Sequence, residues 1–354
     1  MARFPLLGLA KNLGVFKPQP AKSVRRVAVD LGQSHLIVIA AEKKGAKPEI
    51  SHFRFEARPE SPEAVSNQLR EIFKQEGLEI KGVRTALKGQ GMVIRHLTFP
   101  QMKKEDFSSA IQYEVEKYIP FKSSEIILDF QVLAENISRG NAKFMEVLLV
   151  AIKRSEVYQL LGVFQNAGLE VDLIDVAALS ISNLLEFACP EGKEKPIGFL
   201  DMGAETCTFG ILSHWKPLFI RDISFGGIDI LKLLERKLGL SREDVLKIQA
   251  NPSQAPAEYK PVVEQAFSSF ISEFKLSLSY YLDHIPGAEP IQTLFMMGGG
   301  FRFIPNPEFL EKQIQIPTRR IDLLSHLEFR PKIDRALLKQ NEDILPAAVG
   351  LCLR

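Results

Sequence analysis

The sequence Val27-Ala-Val-Asp-Leu-Gly-Gln-Ser-His-Leu-Ile-Val-Ile39 recurs in altered form later in the chain. Its counterpart is Ile197-Gly-Phe-Leu-Asp-Met-Gly-Ala-Glu-Thr-Cys-Thr-Phe-Gly-Ile-Leu212. Each copy reads as a buried strand, an Asp-x-Gly turn and a second strand, with Asp30 and Asp201 in equivalent places. The repeat predicts a duplicated architecture in which a β-hairpin opens each half of the chain.

These two turns have the residue types that bind phosphate. A glycine in a hairpin turn lets the backbone come close to an anion, and successive N–H groups form a concavity for phosphate oxygens. Asp30 and Asp201 could hold Mg²⁺ through water, because Mg²⁺ keeps much of its hydration shell. Two further segments have small residues that could contact the nucleoside or the α-phosphate of a bound nucleotide, namely Phe225-Gly-Gly-Ile228 and Gly298-Gly-Gly300. One Asp-x-Gly is as often a plain turn, but two at matching positions favour a two-sided phosphate clamp.

Length and composition narrow the class of protein. A chain of 354 residues suggests two domains. Its 45 Lys+Arg against 43 Asp+Glu give a net charge of +2, which excludes the basic footprint of a dedicated nucleic-acid binder. No apolar run approaches the roughly 20 residues of a membrane helix, and no signal-peptide cleavage site is recognised. The three cysteines form no CxxC pair. We therefore expect a cytoplasmic protein with no nucleic-acid partner.

Apolar periodicity predicts the elements around the two hairpins. Helices are expected at Ser61 to Gly77, Lys103 to Ile119, Ser155 to Gly168, Ala177 to Phe187, Ile228 to Leu238, Val262 to Leu282 and Pro346 to Leu353. Strands besides the first hairpin are expected at Val83 to Leu87, Met92 to Phe99, Ile126 to Leu133, Phe144 to Ile152, Ile197 to Asp201, Thr206 to Leu212, Pro217 to Ile223 and Thr293 to Met297. We predict that residues 1–24 form an N-terminal tail. This tail is either a frayed terminus or an amphipathic segment that contacts a membrane or a partner.

Six motifs together resemble the actin-like ATPase superfamily, and within it the PilM family of type IV pilus assembly proteins and its relatives in type II secretion. The most discriminating is Tyr113-Glu-Val-Glu-Lys-Tyr-Ile-Pro-Phe121. The others are Val29-Asp-Leu-Gly32, Leu200-Asp-Met-Gly-Ala-Glu-Thr206, Arg221-Asp-Ile-Ser-Phe-Gly-Gly227, Met297-Gly-Gly-Gly300 and Ala348-Val-Gly-Leu-Cys-Leu-Arg354. The resemblance covers residues 27 to 354 and leaves out only the tail.

The resemblance implies an α/β, two-lobed actin-like ATPase fold, made of duplicated ribonuclease-H-like lobes with an inserted α+β subdomain. Residues 25–87 would form the first lobe, closed by 170–190 and by the C-terminal helix at 344–354. Residues 88–169 would form the inserted subdomain, as in FtsA, and residues 191–343 the second lobe.

The resemblance also implies a ligand and a partner. ATP or ADP with Mg²⁺ would bind in the interlobe cleft, with Asp30 and Asp201 holding the metal through water. The nucleotide-binding residues would be Asp30, Gly32, Gln33, Ser34, Asp201, Gly203, Ala204, Glu205, Thr206, Gly226, Gly227, Lys275, Gly298, Gly299 and Gly300. The partner would be the cytoplasmic N-terminal peptide of a PilN-like inner-membrane protein, bound in a groove between the first lobe and the inserted subdomain. The chain would then be a cytoplasmic scaffold that is peripheral at the inner membrane. The sequence leaves open whether it forms a homo-oligomer.

Three departures from the family pattern bear on turnover. Ile37 stands where the family has a lysine facing phosphate, and losing one such charge-assisted contact costs roughly 1.5–3 kcal/mol. Leu276 stands at the family's arginine position on the helix beside adenine, and Ala177 stands where an acidic residue is frequent. Asp175 is the nearest carboxylate to position 177. Without a placed base, ATP hydrolysis is expected to be very weak or absent. The alternatives are an active ATPase or small-molecule kinase of the superfamily, and an FtsA-like filament former.

Overall fold

The structure, a computed structural model, describes residues 25–44, 47–89, 91–304 and 306–353. The predicted tail, residues 1–24, lies outside the described residues. The chain divides into two compact units. Unit 1 runs to Cys189 and takes in Leu323–Arg354, and unit 2 is Pro190–Asp322.

The elements are numbered in chain order. The strands are β1 Arg25–Leu31, β2 His35–Lys44, β3 Lys47–Ala57, β4 Val83–Leu87, β5 Met92–Pro100, β6 Ile126–Arg139, β7 Ala142–Lys153, β8 Val171–Val176, β9 Ile197–Met202, β10 Cys207–Ser213, β11 Lys216–Ile223, β12 Thr293–Met297, β13 Thr318–Arg320 and β14 Glu328–Phe329. The α-helices are α1 Pro62–Glu76, α2 Lys104–Glu114, α3 Arg154–Ala167, α4 Ala177–Ala188, α5 Gly227–Leu238, α6 Arg242–Ala250, α7 Tyr259–His284, α8 Glu308–Ile314, α9 Arg335–Gln340 and α10 Pro346–Leu353.

Unit 1 is built on a sheet of order β14-β3-β2-β1-β4-β8. The predicted first hairpin is confirmed, because β1 and β2 pair antiparallel with Asp30 opposite Ile37. Strands β4 and β8 then continue the sheet in parallel. The buried helix α10 packs on α4 and on β1. Strand β14 pairs with β3, so residues Glu328 and Phe329, which the sequence analysis assigned to the second lobe, lie on the sheet of unit 1.

Unit 2 repeats this arrangement with a sheet of order β11-β10-β9-β12-β13. Strands β9, β10 and β11 are antiparallel neighbours, and β12 and β13 run parallel to β9. The order therefore matches the β3-β2-β1-β4-β8 part of the first sheet, as the repeated hairpin predicted. The core between this sheet and its helices holds a group of buried aromatic rings, namely Phe209, Phe267, Phe270, Phe274 and Phe301.

A third sheet of order β5-β7-β6 follows β4 in the chain and lies within unit 1. Helix α2 covers it, and Phe107 and Ile111 of that helix are buried against Met145 and Leu149 of β7. This three-stranded sheet with its helix has its own hydrophobic core. We call it the inserted sheet.

Three sequence expectations for element ends are corrected. The helix expected through Ile119 is α-helical only to Glu114 and tightens into a 3₁₀ turn at Val115–Lys117. Helix α3 begins at Arg154, after Lys153, and has no side-chain cap, so Ser155 is not its N-cap. The loop expected between β6 and β7 shrinks to a two-residue hairpin, since both strands continue toward it across an irregular pairing. Several elements, among them β3, β8, α6 and α8, had not been predicted.

Candidate functional site

The first glycine turn is held in place by two side chains that fold over it. The ring of His35 covers Gly32, so that a Cβ atom at position 32 would lie 2.6 Å from His35 Nε2. Arg58, just after β3, donates a hydrogen bond from Nη1 to the Gly32 carbonyl at 2.8 Å and from its backbone N–H to the Ser34 carbonyl at 3.2 Å. A larger residue at position 32 would displace the histidine ring from this place. Gln33 and Ser34 are exposed.

Asp30, at the end of β1, forms a close ion pair with Lys88. The Lys88 Nζ lies 3.0 Å from Asp30 Oδ1 and 3.2 Å from Oδ2. The Asp30 side chain is 2% exposed, whereas that of Lys88 is 32% exposed. His35 Nε2 lies 4.0 Å from Asp30 Oδ2. The carboxylate is therefore buried beneath a lysine that still reaches solvent.

The electrostatic balance at Asp30 favours its charged form. Burial alone would raise the pKa of Asp30, but the charges of Lys88 and His35 outweigh burial and the pKa lies below its ordinary value. The same ion pair bears on the predicted metal role. Both carboxylate oxygens lie within hydrogen-bond distance of the lysine, so a hydrated Mg²⁺ has no access to Asp30 unless Lys88 moves. The residues around Asp30 thus fit an ammonium group and do not fit a water-bridged metal.

Lys88 and Arg58 are site residues that the sequence analysis missed. Strands β1 and β4 pair in parallel with Val27 opposite Val83 and Val29 opposite Thr85. Extending this register puts Lys88 level with Gly32, at the edge where parallel strands end and ligands commonly bind. The sequence showed only that this lysine directly follows a predicted strand. Its role beside the turn could be inferred only once β1 was known to be the neighbour of β4.

In unit 2 the second glycine turn packs against the start of α5. The Gly203 N–H donates to the Thr206 carbonyl at 2.8 Å, which closes the turn. The Gly227 N–H donates to the Gly203 carbonyl at 3.0 Å, and a Cβ atom at Gly226 would lie 2.4 Å from the Ala204 oxygen. The predicted pair of glycines is therefore needed for this close approach of two backbones.

The Gly298-Gly-Gly300 segment packs on the same strand end. Gly298 has φ 93°, and a Cβ atom there would lie 2.4 Å from the Met202 oxygen and 2.7 Å from Asp201 Oδ1. A Cβ atom at Gly300 would lie 2.4 Å from Met202 Cγ. Asp201, the second turn and the two predicted glycine segments therefore form one cluster within unit 2.

The remaining predicted residues are placed as follows. Glu205 is exposed in the second turn, and Gly299 begins the 3₁₀ turn after β12. Lys275 is exposed on α7, between Phe274, whose ring lies 4.7 Å from that of Phe209, and the exposed Leu276. The ring contact shows that this part of α7 packs over β10, and the role of Lys275 stays a prediction. Within the described residues, no group of three or more His, Cys, Asp or Glu is arranged to hold a metal.

Asp175, the carboxylate closest to position 177, is fully buried. Its Oδ1 accepts a hydrogen bond from the Val176 N–H at 2.8 Å, and its Oδ2 accepts one from the Ser180 hydroxyl at 3.0 Å. These bonds tie Asp175 to the first turn of α4. Both oxygens are engaged in shaping a helix start, which is a structural role.

A groove of about 590 Å³ runs along the inserted sheet. One wall is the end of α2, where Tyr113 is 89% exposed, and the other is the first part of β6, including Ile127 and Leu128. Arg154, at the start of α3, closes one side and donates a hydrogen bond to the Ser124 carbonyl at 3.2 Å. Tyr113 is the first residue of the discriminating motif found in the sequence.

Unit 2 contains a second cavity, of about 440 Å³, that had no sequence signal. It lies between the C-terminal end of α6, the N-terminal end of α7 and α8, and Phe303 and Ile304 of the segment after the three glycines form part of its wall. Its lining is mostly apolar, with Lys260 and Arg302 among the charged residues.

Comparison with protein families gives a match over nearly the whole described chain. The profile of the family described as type IV pilus assembly protein PilM matches residues 28–354.

Solved structures agree in fold. A structure described as the PilM-PilN type IV pilus biogenesis complex aligns with a TM-score of 0.80 at 20% identity, covering 93% of this chain and 98% of that one. The ethanolamine utilization protein EutJ from Carboxydothermus hydrogenoformans aligns with a TM-score of 0.56 at 13% identity, covering 98% and 97%. MreB 5 of Spiroplasma citri bound to AMPPNP aligns with a TM-score of 0.51 at 12% identity, covering 93% and 95%. The predicted actin-like fold is confirmed. Among the described helices, none has both the length and the apolar character needed to cross a bilayer.

Proposed function

The chain belongs to the family of the type IV pilus assembly protein PilM, and from this premise we propose that it is a cytoplasmic scaffold of pilus assembly. In this role it binds the N-terminal peptide of a PilN-like inner-membrane protein and, in its glycine turns, ATP or ADP. The peptide keeps the scaffold at the inner membrane, because the membrane anchor belongs to the partner.

The observation that carries the proposal is the groove of the inserted sheet with Tyr113 at its edge. Tyr113 is 89% exposed, which is unusual because large aromatic side chains are generally at least partly buried in a folded protein. Tyrosine is also enriched among the residues that dominate the affinity of interfaces. Val115 and Ile127, both buried, supply an apolar floor beneath it. The groove thus combines an exposed aromatic anchor with an apolar base, as a short peptide requires.

Strand β6 gives the peptide a second means of attachment. In the inserted sheet β6 pairs with β7 on one side only, so its other edge is open to an added strand within the described structure. A peptide in extended conformation can pair with such an edge through main-chain hydrogen bonds, while its side chains enter neighbouring pockets. Leu128 of β6 lines the groove at this edge.

The nucleotide part of the proposal is supported by the two glycine turns. Each turn follows a strand that has a parallel neighbour in its sheet, which is where α/β proteins commonly bind ligands. The MreB 5 structure with the same fold is bound to AMPPNP. Asp30 lies in unit 1 and Asp201 in unit 2, and their joint action on one triphosphate stays a prediction.

The alternatives are less well supported. An active ATPase or kinase needs a carboxylate positioned to activate a nucleophile. Asp175, the candidate nearest in sequence, has both oxygens engaged at the start of α4. We therefore propose binding with very weak or absent turnover. No specific contact within the described residues favours a filament former over a scaffold.

Fluorescence polarisation tests the scaffold function directly. The probe is a synthetic fluorescein-labelled peptide of the cytoplasmic N-terminus of the PilN-like protein encoded in the same genome, titrated with the full chain. We expect saturable binding, and Tyr113→Ala should weaken it by about tenfold or more, because a tyrosine that anchors an interface contributes roughly 2 kcal/mol.

Tyr158→Ala is the matched control. Tyr158 is also an exposed tyrosine, with 51% of its surface accessible, but it lies on α3 and does not line the groove. Its removal should leave the affinity unchanged. If the peptide does not bind the unmodified chain, or if both tyrosine variants lose affinity equally, the groove is not the peptide site.

A further inference from the structure

We propose that Lys88 is a phosphate-binding residue of the first turn, and that Asp30 positions this lysine and is not a metal carboxylate. This assigns a nucleotide phosphate to unit 1 without Mg²⁺ at Asp30. The inference rests on the proposed nucleotide binding and goes beyond it in naming the cation that serves the first turn.

The position of Lys88 suits a phosphate at the first turn. The lysine follows β4, whose parallel pairing with β1 brings it level with Gly32. Its Nζ is held 3.0 Å and 3.2 Å from the two oxygens of Asp30. The ammonium group is thus fixed at the end of the sheet beside the glycine turn, where the N–H groups of the turn would face an anion.

The charge of Lys88 also suits a phosphate. A buried carboxylate beside the turn would repel a phosphate unless a cation stood between them. The turn itself, residues 32–35, contains no lysine or arginine. Lys88 supplies the missing positive charge from another strand, and its side chain is 32% exposed while Asp30 is 2% exposed. A phosphate can therefore meet the lysine from the solvent side without contacting the carboxylate.

Lys88 also competes with a metal ion for Asp30. Because Lys88 is within hydrogen-bond distance of both Asp30 oxygens, Mg²⁺ and the lysine would compete for the same carboxylate. Mg²⁺ gives up its water reluctantly and needs near-octahedral geometry. The lysine is already in place and is covalently part of the chain. Mg²⁺ at Asp30 should consequently add little to nucleotide affinity, which leaves Asp201 as the other predicted metal carboxylate.

Calorimetric titration of the full chain with ATP, in Mg²⁺ and in EDTA at equal ionic strength, tests the inference. The affinity of the Asp201→Asn variant, which removes the other predicted metal carboxylate, should differ by less than about threefold between the two conditions. Lys88→Gln should weaken binding in EDTA by roughly tenfold or more, since a charge-assisted hydrogen bond is lost. Added Mg²⁺ should restore part of this loss, because Asp30 then becomes accessible to it. Lys88→Arg, which keeps the charge, should lose less than Lys88→Gln.

Lys81→Gln is the matched control. Lys81 precedes β4, is 67% exposed and lies 3.5 Å from Glu170, so its change should leave ATP binding unaltered. A roughly tenfold loss of affinity in EDTA by the Asp201→Asn variant would overturn the inference, as would Lys88→Gln binding like the unmodified chain. Inorganic phosphate binding as tightly as ATP would overturn the nucleotide assignment. Absence of ATP binding in both conditions would also overturn the inference. The scaffold function is decided separately, by the fluorescence polarisation titration with the PilN-like peptide on the same samples.

Discussion

Asp222 is a half-buried carboxylate whose ionisation opposes folding. It lies on β11 opposite Thr208, whose hydroxyl donates a hydrogen bond to its Oδ1 at 2.6 Å. Burial raises the pKa of Asp222 above its ordinary value, and the Thr208 hydrogen bond offsets this only in part. Since the folded pKa lies above the unfolded one, the folded state loses stability as pH rises through these two values and does not recover it at higher pH.

Asp222→Asn should therefore stabilise the chain more at pH 7 than at pH 4. The amide removes the charge and can still accept the Thr208 hydrogen bond. The measurement is the difference in melting temperature between variant and parent at the two pH values. The matched control is Asp283→Asn, which changes an exposed aspartate on α7. A gain that is equal at both pH values, or equal in the control, would contradict the prediction.

At the scale of single residues, the sequence predicted the glycines of both turns but not Lys88 and Arg58, the two cations beside the first turn. The glycines of both turns could be predicted because a turn of this kind needs local residues in a local order. Lys88 could not, because it reaches Asp30 through the pairing of β1 with β4, a contact between segments far apart in the chain. Arg58 was missed for the same reason, since β3 had not been recognised as the neighbour of β2.

Among the elements, α10 and α4 approach each other so closely that no side chain fits at position 350. Gly350 lies in the middle of α10, and a Cβ atom there would come within 1.9 Å of the Ser180 oxygen on α4. That atom is backbone and cannot move out of the way without shifting the helix. We expect Gly350→Ala to destabilise the chain by about 1–3 kcal/mol or more, the usual cost of overpacking. Chemical denaturation monitored by circular dichroism measures this change.

Gly162→Ala is the control for that substitution. Gly162 also lies inside a helix, α3, but a Cβ atom there would meet nothing within 4 Å. Alanine in a helix interior is more favourable than glycine by about 0.5–1 kcal/mol, so this variant should be slightly stabilised. If Gly350→Ala were stabilised to the same extent, the close approach of α10 and α4 would not exist.

Elements with strong local signals were predicted and those without them were missed. Helix α1 carries its boundaries in the sequence: the Ser61 side chain accepts a hydrogen bond from the Ala64 N–H, and Gly77 ends the helix with φ 59°. Strand β3 has no such marks, as it begins Lys-Pro-Glu and mixes charged with apolar residues. Its place in the sheet comes from pairing with β2, which a single sequence does not record.

For the whole molecule, the repeat was the most informative observation. Two hairpins with matching Asp-x-Gly turns predicted two similar halves, and the two large sheets share the same order of five strands. The bounds of the halves were harder to predict. Strand β14 pairs with β3 and helix α10 packs on α4 and β1, and Leu323–Arg354 accordingly belongs to unit 1.

Unit 2 has what an independent domain needs, and we expect residues 190–322 to fold alone. The segment is continuous, contains a complete five-stranded sheet and has its own core of buried aromatic rings. It should show native near-ultraviolet circular dichroism and a single cooperative unfolding transition. A shorter chain of residues 205–322 is the control. It lacks β9, the central strand between β10 and β12, so its sheet is split and it should not fold. If 190–322 retains helical signal but shows no near-ultraviolet signal, unit 2 depends on unit 1 for its tertiary packing and the prediction is wrong.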